Sequence, residues 1–101
     1  MAYIKMNYPN VIEKVEELKQ IAATFNLTSD KFETTTDDSR AYWKGEASNA
    51  YRREAVQLHY SLTKTAKRID ELAERIRQIA DALNEVDENA ADSADDLSTG
   101  D

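Results

Sequence analysis

The chain has no cysteine, one proline and two glycines in 101 residues, and each shortage closes off a class of protein. Without cysteine there is neither a disulfide framework nor a thiol nucleophile, and residence on either side of a membrane stays open. With so few breakers, long uninterrupted helices are possible. Nowhere do apolar residues approach the roughly 18 in succession that a spanning helix needs, and Met1 to Pro9 lack the apolar stretch of a secretory leader. The expectation is no stable membrane insertion and no Sec signal peptide. His59 is the single histidine, and with no HExxH-type spacing around it the sequence offers no metal site, no cofactor site and no catalytic constellation. Charge is unevenly spread: residues 81–101 hold eight acids and no base, whereas residues 1–80 hold 13 Lys and Arg against 12 Asp and Glu. Because the bases of residues 1–80 alternate with acids, no electropositive stripe forms, and nucleic acid is not expected as a partner.

What the sequence does have is helical stepping. Tyr8, Val11, Val15, Leu18, Ala22, Phe25, Ser29, Phe32, Thr36, Ser39 and Trp43 follow at alternating intervals of three and four. The same stepping resumes at Tyr51 and runs through Ala55, Leu58, Leu62, Thr65, Ile69, Leu72, Ile76, Ile79, Leu83, Val86 and Ala90. Such steps mark a packed helical seam. The phase is lost between Trp43 and Tyr51, where Gly45 lies, so the fold class is all-α: an antiparallel helix-turn-helix hairpin. Residues 1–9 read as an N-terminal extension, residues 10–90 as the hairpin with its turn at 43–46, and residues 91–101 as an acidic, disordered tail. Acids at the carboxyl end of a helix oppose its dipole, so the second helix is expected to fray near Ala90.

Antiparallel pairing about the turn sets Phe32 near Leu58, Phe25 near Thr65, Leu18 near Leu72 and Val11 near Ile79, with Leu83 and Val86 beside Ile4 and Tyr8. The seam, within one hairpin or between two, is assigned to Val15, Leu18, Phe25, Phe32, Leu58, Leu62, Ile69, Leu72, Ile76 and Ile79. Ala66, Ala73 and Ala80 recur immediately after seam positions and permit close approach of another helix, or simply supply helix propensity. Two helices alone leave one face of each wet, and two hairpins closing into a four-helix bundle is the economical remedy.

Trp43-Lys44-Gly45 lies mid-chain between these helices, followed by Glu46-Ala47 and the aromatic Tyr51. Glycine at a helix end turns the chain without a Cβ penalty, and Trp43 is able to plug the hairpin against Ala47 and Tyr51. The length, the mid-chain Trp-x-Gly and the flanking helices resemble the WXG family, the ESAT-type hairpins exported by type VII secretion systems of Gram-positive bacteria and mycobacteria. The resemblance covers nearly the whole chain. It implies a small non-catalytic protein, cytoplasmic before export and then secreted, acting as a homodimer or paired with a sister hairpin or a toxin. It also implies that Trp43 and Gly45 join a C-terminal export signal read by the membrane ATPase of the secretion machine. That signal is commonly an aromatic followed four residues later by an acid. Here no aromatic follows Tyr60, and Leu83 with Asp87 has the spacing, an aliphatic in the aromatic's place.

Overall fold

The computed structural model describes residues 6–99, with side chains through residue 90, and consists of α1 (Tyr8–Ser39) and α2 (Glu46–Thr99) packed along their length. Together they form a rod of 85 × 18 × 16 Å. Asn7 caps α1, its side chain accepting from the Asn10 amide at 3.4 Å, and Pro9 sits in the first turn, where an amide proton has no intrahelical partner. The helix passes through residues 26–33 unbroken, although Asp30 and Glu33 have capping-box spacing.

Three boundaries differ from expectation. α1 begins at Tyr8 rather than Asn10, and it ends at Ser39 rather than Tyr42, because the amides of Arg40, Ala41 and Tyr42 donate to carbonyls three residues back at 3.1–3.2 Å and tighten the last turn. α2 does not fray at Ala90 but continues to Thr99. No Gly or Pro interrupts the chain between Gly45 and Gly100, and the high helix propensity of Ala90, Ala91 and Ala94 outweighs the unfavourable placement of acids. Residues 1–5, including Ile4, and residues 100–101 lie outside the described residues.

The antiparallel register is the expected one. Side chains bonded across the pair have residue numbers adding to between 88 and 93: Tyr8 with Asp81, Lys19 with Glu74, Ser29 with His59 and Thr63, Ser39 with Arg52. What fills the line of contact is smaller than expected. Val15, Ala22, Ser29 and Thr36 are buried at seven-residue intervals on α1, facing Ser48, Ala55, Ala66, Ala73 and Ala80 on α2. Two helices enclose only a narrow line between their axes, and small side chains there let the backbones come close. Larger residues are displaced to the sides. Leu18, Phe25, Phe32, Leu62, Ile69 and Ile76 are half-buried, whereas Leu58, Leu72 and Ile79 are 44%, 52% and 59% exposed. Leu58, Leu72 and Ile79 are therefore not inside the hairpin seam; the alanine row beside them is.

Ion pairs lock the open end. Tyr8 donates its hydroxyl to Asp81, Arg77 Nη1 donates to Asp81 at 3.2 Å, Arg77 Nε donates to Glu74 at 3.0 Å, and Lys19 reaches Glu74 at 3.1 Å. The hydrogen bonds from Arg77 and then Lys19 hold the Glu74 carboxyl at about 2, below the usual glutamate value near 4.5. A depressed carboxylate contributes stability above its unfolded value and loses it as the pH falls through the folded one. Thermal melts are expected to show that Glu74→Gln narrows its deficit against the natural chain as pH drops from 5 toward 2. A deficit independent of pH would remove the carboxylate's role.

Candidate functional site: the aromatic turn and the exposed face of α2

Residues 40–45 form the apex. The Trp43 amide donates to the Ser39 carbonyl at 2.9 Å, and Gly45 departs from the expected placement: it ends no helix but opens α2. Its carbonyl accepts from the Asn49 amide at 3.0 Å and from Ser48 Oγ at 2.8 Å, which makes it the N-cap residue. Its φ of +123° lies where L side chains are strained, while a Cβ there would meet nothing within 4 Å. The need for glycine is thus conformational and not steric. Gly45→Ala is expected to cost about 1–3 kcal/mol of stability, all of it in the backbone, as read from chemical denaturation; an unchanged midpoint would show that the turn relaxes to negative φ.

Trp43 is 39% exposed, with its ring centroid 5.3 Å from that of Tyr51 and the planes tilted by 40°. The indole is partly covered, with Tyr51 against it, and partly open to solvent. Tyr42 beside it is 75% exposed. The group that fixes this arrangement is Arg52. Its Nη1 donates to the Trp43 carbonyl at 3.1 Å and to Ser39 Oγ at 3.4 Å, and its Nη2 donates to Ser48 Oγ and Asn49 Oδ1, both at 3.0 Å. One guanidinium joins the end of α1, the turn and the start of α2, which its planar fork of donors suits. In the sequence Arg52 is one of many alternating charges. The serine three places after Gly45 and an arginine one turn further on are the pattern that marks it.

Midway along the rod Ser29 Oγ lies 2.6 Å from His59 Nδ1 and 2.9 Å from Thr63 Oγ1, and donates to the His59 carbonyl at 3.1 Å; His59 Nε2 is 3.5 Å from Glu33. A hydroxyl, an imidazole and a carboxylate in one row are the residue types of a nucleophilic triad. Ser29 is only 1% exposed, enclosed between the helices, so no substrate carbonyl reaches it. The row satisfies polar groups in the seam. Among the described residues no group of three His, Asp or Glu side chains could hold a metal ion, and no helix is long and apolar enough to cross a membrane.

Leu83 and Asp87 lie one turn apart on α2 beyond the Tyr8–Asp81 contact, with Leu83 49% exposed and Asp87 half-buried. Along α2 they are about 55 Å from the apex. A single hairpin therefore does not unite Trp43 and Gly45 with Leu83 and Asp87 in one surface. Leu83 does belong to another surface, the row of large apolar side chains exposed along α2 with Leu72, Ile79 and Val86.

The fold is a two-helix rod with a clamped aromatic apex and a row of exposed apolar side chains along α2. The chain belongs to the WXG100 family, described as proteins of 100 residues with WXG, which matches over residues 3–88. No curated protein and no solved structure matches it. The family is associated with substrates of type VII secretion.

Proposed function

We propose that this chain is a small non-catalytic protein exported by a type VII secretion system of the ESX or Ess kind, acting through protein-protein binding as a dimer. The observation that carries the reading is the exposed apolar row on α2, with Leu72 52%, Ile79 59% and Val86 60% exposed beside a seam of alanines. A contiguous patch of that kind on a soluble surface marks a protein contact. Large residues left outside the hairpin need a second hairpin, and a four-helix bundle provides it. Membership of the WXG100 family supports the secretion route. The membrane ATPase of the machine then reads the exposed apex together with Leu83 and Asp87. A sister hairpin or the helical domain of a toxin would occupy the same row if the chain serves as an adaptor.

Size exclusion with light scattering is expected to show a dimer of the purified chain. A folded monomer that dimerises only with an added partner would favour the adaptor. Export is tested at the apex. Trp43→Ala is expected to abolish appearance in the culture supernatant while lowering stability by only about 1–2 kcal/mol, since the indole is partly exposed and chiefly loses its contact with Tyr51. Normal export of Trp43→Ala, or of Leu83→Ala combined with Asp87→Ala, would remove those residues from the signal.

A further inference from the structure

We infer that the first half of α2 carries a basic docking stripe on the side of the rod away from Leu58, and that this stripe takes an acidic helix of a partner protein about five turns long. In the sequence bases and acids alternate, but the helix sorts them. Between Ala47 and Ile69 there are five bases, Arg52, Arg53, Lys64, Lys67 and Arg68, and a single acid, Glu54. Asn49, Arg53, Val56, Tyr60, Lys64 and Lys67 follow at steps of three and four, the spacing that lines side chains up along one side of a helix. All six are exposed, Val56 to 57% and Tyr60 to 69%. At 3.6 residues per turn Val56 and Tyr60 each lie about 160° around α2 from Leu58, so the stripe and the outer apolar row face in nearly opposite directions. Among the described residues Arg53, Lys64 and Lys67 have no ion pair. The end of α1 completes the stripe at the apex, where Arg40, Asn49, Arg52, Arg53, Val56 and Gln57 line one groove. The four acceptors bonded to Arg52 are all neutral and leave its charge uncancelled.

The stripe's limits specify the partner. From Asn49 to Lys67 it is about 27 Å long, and acids close it at both ends: Glu46 before Asn49, and Asp70, Glu71 and Glu74 beyond Lys67. A long polyanion or an anionic membrane laid along α2 would meet those carboxylates, and would set Val56 and Tyr60 against phosphate. A helix of about 18 residues stops short of them. On α1 the stripe is bordered by Glu33, 3.5 Å from His59, and Asp37, 3.6 Å from Arg40, so like charge keeps an acidic guest off α1 and seats it over α2. Its apolar residues cover Val56 and Tyr60 while its acids meet Arg53 at one end and Lys64 and Lys67 at the other. Opposite charges flanking an apolar strip are how paired helices select partner and register. The chain's own acid-rich end does not fill the stripe within one hairpin, because α2 runs on from Lys67 as one unbroken helix to Thr99 and does not turn back on itself.

The probe is a fluorescently labelled peptide of about five turns, built of Glu, Ala and Leu with Leu at three- and four-residue steps and Glu on either side, and its polarisation is read as the full chain is added. Binding is expected, weaker at about 0.15 M salt than at about 0.05 M but not lost. Arg53→Glu combined with Lys64→Glu is expected to weaken it roughly tenfold or more, and that variant is expected to bind the same peptide with Lys in place of Glu. Val56→Ala combined with Tyr60→Ala is expected to weaken binding roughly threefold or more with no change of charge. Leu72→Ala is expected to leave it unchanged. All these positions are exposed, and helical circular dichroism confirms that each variant is folded. No binding by the natural chain would overturn the inference. So would equal binding of a scrambled peptide or of a single-stranded oligonucleotide of the same charge, or indifference to Val56→Ala with Tyr60→Ala, since the stripe would then be charge alone. Loss of binding in Leu72→Ala would overturn it too, by placing the partner on the outer row. None of these readouts depends on dimerisation or export, so the proposed function stands or falls separately.

Discussion

Ala73→Leu is expected to lower the stability of the hairpin by about 1–3 kcal/mol, the cost of forcing extra methylenes into a filled contact. Ala73 is 0% exposed, in the middle of the row formed with Ala66 and Ala80. A branched side chain there has to push α1 away along the full line of contact, which also loosens Ala22 and Val15 opposite. The neighbouring substitution is expected to do the reverse. Leu72→Ala removes a much larger side chain, but one 52% exposed on the outer face, so it should leave the fold of one hairpin nearly unchanged and weaken dimerisation. Denaturant unfolding at low concentration, paired with light scattering, separates the two effects. If Ala73→Leu were neutral and Leu72→Ala unfolded the chain, the assignment of inner and outer faces would be reversed.

The second large effect is expected at the apex. Arg52→Ala removes four donated hydrogen bonds that join Ser39, Trp43, Ser48 and Asn49. Bonds to a charged donor each contribute up to about 1.5–3 kcal/mol when enclosed and less when wet, and Arg52 is half-buried, so a total loss of about 2 kcal/mol is expected. Arg52→Lys is expected to recover only a minor part, since one ammonium does not reach acceptors on both sides of the turn. The specific readout is Trp43 fluorescence, which should shift toward that of a fully wet indole in both variants well below the melting temperature. A wild-type spectrum in Arg52→Ala would mean that the Tyr51 contact alone positions the ring.

The helices and their register were legible because both depend on spacing, which a sequence displays directly. Alternating three- and four-residue steps located α1 and α2, and counting outward from the turn paired Leu18 with the Leu72 region, in line with the Lys19–Glu74 contact. The division of labour between neighbouring residues was not legible. Hydrophobicity ranks Leu58, Leu72 and Ile79 as core, but a two-helix contact is too narrow to enclose them, and Ala66, Ala73 and Ala80 take the interior. Gly45 was found for its freedom at positive φ and placed at the wrong helix, because a turn glycine serves either end. Arg52 carried no hydropathy signal, being one of several arginines in a region of alternating charge. The run of α2 to Thr99 was hidden by a charge argument that outweighed propensity on paper and not in the chain.

Both ends of the hairpin lie at one pole and the Arg52 clamp at the other, and this has a mechanical meaning. Tension applied between the start of α1 and the overhang of α2 loads the contact layers one at a time instead of shearing them together. The Tyr8–Asp81 bond opens first, then the Glu74 ion pairs, then the Ser29–His59 row, and the guanidinium at the apex last. Peeling a zipper layer by layer takes far less force than sliding two helices past each other, since each step breaks only local contacts. A motor that grips the carboxyl end would therefore strip the chain to a single strand with modest pulling, provided the amino end is held. Pulled by the carboxyl end alone, the same rod stays closed and follows as one stiff, narrow body.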